Sequence, residues 1–377
     1  MPRTPALIVG GGPAGATLAL RLAQAGLPHL LLERARENGD ALCGGFLSWR
    51  TLAMLDRLGI KGEALNPAIL THVRLFAGSC VAQAALPQPA RAVSRLRLDR
   101  LMLAAAERAG ACVERGSGVR SIDAGTVRLD DGALIAADAL FLASGKHDVR
   151  GLARPASARG ADPAIGLRVR LAPAPALTRR IGDAIELHFF DRGYAGLLCQ
   201  ENGTANLCLA VHRSRLHEAG DPERLLAEMA AESPALGERL AHRVSGSAID
   251  AVANVPYGWR ATESRPGLFR LGDQAAVIPS IAGEGMAIAI ASATAAADAY
   301  IEGGPATANA FQARLADQLR WPIGVAAAAW RVAERPAAAY AATRLVRAVP
   351  PLLGLLGRLT RIEAFDARAK TASAKIA

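Results

Sequence analysis

Aromatic side chains are scarce in this sequence: Phe, Trp and Tyr make up 4% of 377 residues. Single-stranded nucleic acid is held by stacking bases on aromatics, and duplexes by clustered Lys and Arg. Here the aromatics are few and the arginines dispersed. The formal charge of +10 therefore does not mark a nucleic-acid surface, while anionic lipid and acidic ligands stay open as partners. Cysteine is equally sparse. The five (Cys43, Cys80, Cys112, Cys199 and Cys208) are odd in number and form no Cys-x-x-Cys pair. That speaks against a zinc site or a disulfide framework and for a reducing compartment. The seven histidines are scattered, no Ser/His/Asp set is readable, and no metal centre is expected. No apolar run reaches the length of a bilayer span. The first apolar stretch ends in glycines rather than in a signal-peptide cleavage site. The expectation is a cytoplasmic protein, with contact at the inner face of a membrane left open. Hydrophobic residues at 51% and charged residues at 21% describe a globular chain, long enough for two domains. Only Ala369–Ala377 reads as disordered. No internal repeat is present, and nothing sets an oligomeric state.

What is present is organised around the first fifteen residues. An apolar run from Ala6 to Val9 meets Gly10-Gly11-Gly12-Pro13-Ala14-Gly15. A helical pattern follows to about Ala25 and is stopped by Gly26. A second apolar run, His29 to Leu32, ends in Glu33. This is strand, turn, helix and strand, with G-x-G-x-x-G at the turn. Gly10 permits the tight turn, Gly12 lets backbone approach a pyrophosphate, and Gly15 lets helix and strand pack closely. Amides at the helix start, where Pro13 and Ala14 lie, attract phosphates. Glu33 stands 33 − 15 = 18 residues beyond the last glycine, where an acid takes a ribose hydroxyl pair. Together these features describe a dinucleotide site, with Arg34 beside its acid.

Further along, Cys43-Gly44-Gly45 suggests backbone close to a ligand. Trp49–Leu58 reads as a helix, and Val93-Ser-Arg95-Leu-Arg-Leu-Asp99 leads into another that runs through Ala109. Short strands follow between residues 111 and 136, with a hairpin at Asp131-Gly132. Asp138 to Ser144 is a buried strand that ends at Gly145 and rejoins the first sheet. Strand candidates Ile165–Leu171, Ala184–Phe190, Gly196–Gln200 and Ala205–His212 precede helices from Pro222 and Pro234. That pattern suits a mostly antiparallel sheet with helices on one side. The chain returns at Gly267–Asp273, passes Pro279 and Gly283-Glu284-Gly285-Met286, and enters a small-residue helix from Ala287 to Tyr300. Phe311 to Ile362 is helical, apolar and basic, interrupted by Pro322, Pro336 and Pro350-Pro351. The fold class is α/β with α+β character. A Rossmann-like domain is expected from residues 1–75, 95–160 and 255–320. A mostly antiparallel substrate domain takes 76–94 and 161–254, and a C-terminal helical region takes 321–377. That last region caps the substrate entrance or rests on a membrane.

Three motifs carry a family resemblance: Gly10–Gly15 with Glu33, Ala143–Arg150, and Gly272-Asp273 through Pro279 to Gly283-Glu284-Gly285-Met286. Their order and spacing resemble the FAD-dependent oxidoreductases with the p-hydroxybenzoate hydroxylase fold, over about residues 1–320. Cys43-Gly44-Gly45 and the Gly-Glu-Gly-Met form are most similar to the geranylgeranyl reductase branch. The resemblance implies FAD as cofactor and NAD(P)H as electron donor. It implies that Asp273 accepts from ribityl hydroxyls. The amides of Gly283, Gly285 and Met286, after Pro279, would meet the pyrophosphate or the N1–C2=O edge of the reduced ring. Arg95 would approach flavin or pyrophosphate, Val119 adenine, and Gly44 and Gly145 would border the cofactor. Cys43 would face ring and substrate as a catalytic residue; small buried packing is the alternative. His188, Phe190, Tyr194 and Trp259 come from segments expected to border the substrate. Two segments depart from the family. Ser144–Arg150 runs one residue short and lacks Asp-Gly, and Gly193-Tyr194-Ala195-Gly196-Leu197 has no tryptophan. The expected function is redox chemistry of reductase or dehydrogenase type on a hydrophobic small molecule, isoprenoid- or polyketide-like. An NAD(P)H-dependent aromatic monooxygenase is the alternative. A non-enzymatic prenyl- or lipid-binding protein is the reading from another class.

Overall fold

The computed structural model describes residues 1–123, 125–244 and 246–363; the disorder expected for Ala369–Ala377 lies outside the described residues. Arg3–Val9 is the central strand of a seven-stranded sheet. Its run Ala6-Leu7-Ile8 is fully buried, as a parallel strand covered on both faces must be. It pairs in parallel with Leu30–Glu33 on one side and Leu134–Leu142 on the other. Cys112–Arg115 extends the sheet past Leu30–Glu33, and Leu268–Arg270 pairs in parallel with Leu134–Leu142. Val119–Asp123 and Thr126–Leu129 add antiparallel strands at the far side. Asp131-Gly132 forms the turn into Leu134–Leu142, and that strand is continuous where the sequence suggests two pieces.

Helix Pro13–Gln24 leaves the first strand through the glycine turn. Pro13 opens it, where its fixed φ suits the helix and its missing N–H has no partner to lose. Two helices pack against it, the alanine-rich Gly285–Gly303 and Arg95–Arg108. Ser94 caps the latter, its hydroxyl accepting from Arg97 N–H at 3.1 Å. One apolar cluster joins these helices to the sheet.

The second sheet has eight strands, in the order Asp250–Val255, Ala164–Leu171, Ala205–His212, Gly193–Cys199, Ala184–Phe190, Leu70–Ala77, Cys80–Ala92 and Phe46–Leu47. It is antiparallel except between Ala184–Phe190 and Leu70–Ala77. Helices Pro175–Ile181, Pro222–Glu232 and Pro234–Leu240 cover one face through Leu177, Ile181, Leu225, Met229 and Leu236. Leu70–Ala77 lies wholly in this sheet, so the expected division of the chain at residue 75 falls inside a strand. Gly78 and Ser79 form only a tight turn, which makes Leu70–Ala92 one hairpin that two domains cannot share.

Helices Arg320–Ala333, Pro336–Ala348 and Pro351–Leu359 end the described chain. Pro336 and Pro351 each start a helix. Pro322 does not interrupt one: it sits in the first turn of Arg320–Ala333, where an N–H has no intrahelical acceptor. Among the described residues no helix is long and apolar enough to cross a membrane.

Candidate functional site

A cavity of about 710 Å³ runs from the glycine turn to the inner face of the second sheet. Glycine shapes its near end. Gly10 has φ +107°, and a Cβ there would stand 2.6 Å from the Ala143 carbonyl oxygen. A Cβ on Gly15 would stand 1.8 Å from the Gly10 carbonyl oxygen, so the helix meets the turn only because hydrogen is there. No side chain caps the helix at Gly12, which leaves its first amides available to an anion. Glu33 is held at the rim. Gly11 N–H donates to one carboxylate oxygen at 2.6 Å and Ala35 N–H to the other at 2.9 Å. Each oxygen keeps acceptor capacity, enough for a diol.

Arg95 reaches the turn from its helix. It holds Asp99 in a fork, Nε to Oδ1 at 2.9 Å and Nη2 to Oδ2 at 2.8 Å. The same Nη2 is 3.3 Å from where a Cβ on Gly12 would stand. Burial opposes the guanidinium charge, but Asp99 outweighs it and raises the pKa of Arg95. The result is a permanent cation beside an uncapped helix start.

The far end is assembled from distant segments. Asp273 follows the strand Leu268–Arg270, and its carboxylate lies 3.4 Å from Lys146 Nζ. Asp273 raises the lysine pKa against the effect of burial. Gln274 ties the two segments together, its amide donating to the carbonyls of Gly145 and His147 at 2.9 Å each. His147 meets Arg34 at 3.0 Å. Burial, then Arg34, pushes its pKa below the ordinary histidine value. Glu284, at the start of Gly285–Gly303, is fully buried. Its carboxylate pairs with Arg361 and accepts from Ile362 N–H at 3.0 Å. Arg361 also lies over the rings of Phe46 and Trp49, 5.8 and 5.2 Å from their centroids.

On the sheet side, Tyr194 OH donates to Ser280 Oγ at 2.8 Å, and Tyr257 OH lies 2.6 Å from the same oxygen. Three hydroxyls carry three protons and make two hydrogen bonds, so one proton remains to offer. The wall around them is aliphatic, with Val73, Leu86, Ile185, Leu187 and Leu198.

Of the residues expected to hold a cofactor, Gly10, Gly12, Pro13, Ala14, Glu33, Arg34, Cys43, Gly44, Arg95, Val119, Gly145, Asp273, Gly283, Gly285 and Met286 line this cavity. Gly15 acts beneath the turn, and Pro279 stands between the lining residues Ile278 and Ser280. Of the residues expected to border the substrate, Tyr194 lines the cavity, but His188, Phe190 and Trp259 do not. Strand alternation explains two of these. Ile185 and Leu187 face the cavity, so Glu186, His188 and Phe190 face the covering helices. His188 instead bonds Glu186 at 3.2 Å and stacks on Phe76 with 4.2 Å between rings. Phe190 packs beneath the helices, and Trp259 lies under Arg154. Cys43 Sγ accepts from Gly45 N–H at 3.4 Å, and its carbonyl takes the Asn206 amide at 2.9 Å and the Cys208 thiol at 3.1 Å. Burial pushes that Cys208 thiol up to about 12. Sequence reasoning assigned no role to Lys146, Tyr257, Ser280 or Arg361. Lys146 and Ser280 lie within or beside quoted motifs, which is a usable signal; Arg361 has none.

These features define a class. Residues 3–148 match the family model described as FAD binding domain. The first part of the chain is thus an FAD-binding domain, and the overall fold is one shared with solved flavoproteins. Among particular proteins, a stretch of 72 residues is 42% identical to 3-hydroxybenzoate 6-hydroxylase of Klebsiella oxytoca, covering 19% of this chain and 18% of that protein. The fold is shared with PqsL of P. aeruginosa, solved with 2-aminobenzoylacetate, at TM-score 0.67 and 19% identity over 91% of this chain and 99% of that one. It is shared equally with a geranylgeranyl bacteriochlorophyll reductase-like protein of Thermoplasma acidophilum, at TM-score 0.67 and 20% identity over 96% and 93% of the two chains.

Proposed function

We propose that this chain is an NAD(P)H-dependent FAD monooxygenase that hydroxylates a small aromatic or polyketide-like molecule bearing an oxygen or nitrogen acceptor. The Tyr194–Ser280–Tyr257 hydroxyl chain carries this reading. In an otherwise aliphatic wall it offers one proton, which an acceptor-bearing substrate uses and a prenyl hydrocarbon does not. The hydroxylase relative and the aminobenzoyl ligand of PqsL support the same direction.

The residues present fit FAD. The Gly10–Gly15 amides with Arg95 would hold the pyrophosphate, and Glu33 the adenosine ribose. Val119 would lie at the adenine, and Asp273 with the Gly283–Met286 amides at the flavin end. Bound FAD supplies the electron transfer and the oxygen activation. The protein's own part is positioning. Arg95 and Lys146 keep positive charge in the cavity, the aliphatic wall excludes water, and Ser280 or Tyr257 holds a proton toward the substrate acceptor. Reduction of a C=C bond is a second reading, favoured by Cys43 at the cavity wall and by the aliphatic lining.

The test is a panel of hydroxybenzoates and aminobenzoyl compounds, run with NADH and NADPH in air. Substrate-stimulated oxidation of the nicotinamide and a product one oxygen atom heavier are expected. A product heavier by two hydrogens, with reduced flavin that persists in air, assigns the reductase reading instead. A purified protein that takes up no FAD overturns both and returns the lipid-binding alternative.

A further inference from the structure

The C-terminal helices carry apolar side chains on the wrong side. Helix Pro336–Ala348 buries Ala339, Thr343 and Val346, the i, i+4, i+7 positions of one face. Its opposite face, Ala337, Ala341, Arg344, Leu345 and Ala348, is exposed. A surface helix is ordinarily polar there; this one shows a single arginine among apolar groups. The next helix, Pro351–Leu359, has no buried residue, and Leu355, Leu356 and Leu359 are exposed. Leu345 and Leu355 each keep 55% of their surface in water. Adjoining helices with this much apolar surface mark a contact site.

The charge around it has one sign. Residues 320–363 hold seven arginines against two acids, Glu334 and Glu363. Both acids are engaged, Glu334 by His212 at 2.8 Å and Glu363 by Arg50 at 2.7 Å. The exposed leucines are therefore flanked by positive charge at Arg344, Arg347 and Arg358.

We propose that these two helices dock on an anionic bilayer, with the leucines entering the headgroup boundary and the arginines meeting lipid phosphates. A second copy of the chain would set the same arginines against one another. Residues 364–377 hold three basic side chains and one acidic, which is the wrong charge to cover the face. Anionic lipid is complementary on both counts. On the inner side, Val346 and Leu353 share an apolar cluster with Val73, Leu86, Ile185 and Leu187, all four of which line the cavity. The docking face thus lies one layer of side chains from the substrate space, a short route for a lipophilic molecule. The docking itself holds whichever reaction the cavity runs.

Vesicle flotation of the full-length, FAD-loaded protein tests this. Vesicles containing phosphatidylglycerol are expected to carry most of the protein, and pure phosphatidylcholine little of it. Added salt should weaken the binding, because exposed charges are screened over about 10 Å at 0.1 M. The double substitution Leu355→Asp, Leu356→Asp is expected to lower the bound fraction about tenfold, with the flavin absorbance unchanged. Wild-type protein that stays with the buffer overturns the proposal, as does vesicle binding that survives both aspartates. A concentration-dependent dimer dissolved by the same substitutions also overturns it and assigns the face to a second copy.

Discussion

The two ends of the cavity are built by different means. At the near end, one stretch from Gly10 to Glu33 sets the geometry through backbone sterics. Gly15 has no room for another atom, and Glu33 is fixed by amides of its own unit. At the far end, Asp273 faces Lys146, Gln274 spans to Gly145 and His147, and Glu284 meets Arg361 from 77 residues away. Local turns shape Gly272–Gln274 and Ser280–Gly283, but ion pairs and hydrogen bonds between segments bring them together. A site made of backbone sterics fails by exclusion, and a site made of cross-chain pairs fails by loosening.

Gly15→Val is the largest expected break. The clash is with a backbone carbonyl that no rotamer can move, so FAD affinity should fall at least about a hundredfold. Quenching of FAD fluorescence on titration reads it, and stoichiometric FAD in the variant would contradict the steric account. Arg361→Ala tests the other end. It leaves the Glu284 carboxylate buried without its cation, a loss of about 3–5 kcal/mol, seen as a lower Tm. FAD affinity should fall far less than in Gly15→Val; equal losses in the two variants would erase the difference between the ends. Arg361→Lys should recover only part of the Tm, because the flat guanidinium over Phe46 and Trp49 is not replaced.

Glu33→Gln should act more mildly. It keeps one acceptor but loses the charge and the bond from either Gly11 or Ala35 N–H; FAD affinity should drop about tenfold, while the Tm of the apoprotein falls less than in Arg361→Ala. A fall in apoprotein Tm as large as that of Arg361→Ala would mean that Glu33 serves the fold more than the ligand. The smallest effect concerns acid. Burial pushes the His188 pKa below its ordinary 6.5, so the unfolded chain binds that proton more readily and stability falls below about pH 6.5. Burial alone would raise Glu186, yet the bonds from His188 and Arg239 hold it down to about 2, below its ordinary 4.5. Its contribution is present above pH 4.5 and is lost as pH falls toward 2. Both groups act in the same direction, so Tm should be level near neutrality and decline on acidification, by melting curves across pH. Glu186→Gln should flatten the lower part of that decline; an unchanged slope would clear the pair of the effect.

Much of the near end was legible because its causes are short-range. A glycine at position 10 or 15 means the same thing wherever the unit sits. Asp273 and Gly283–Met286 were legible through their resemblance to a family pattern, since their spacing from the first turn says nothing about contact. His188 and Phe190 were misplaced for a different reason. Alternation along Ala184–Phe190 shows two faces, but not which one the cavity takes; Tyr194, on the next strand, happened to fall on the right one. Trp259 was read from its neighbourhood, and Arg154 claims it. The cut at residue 75 failed because strand pairing across the turn begins at Leu70, ahead of the cut.

The sequence by itself determined the first strand, turn, helix and acid, because a missing Cβ and a free helix start are properties of the local chain. Only the tertiary structure decided which face of the second sheet lines the cavity, that three hydroxyls meet at Ser280, and that the chain returns through Arg361 to Glu284. Those outcomes depend on which surfaces exclude water from one another, and that is settled between segments rather than within them.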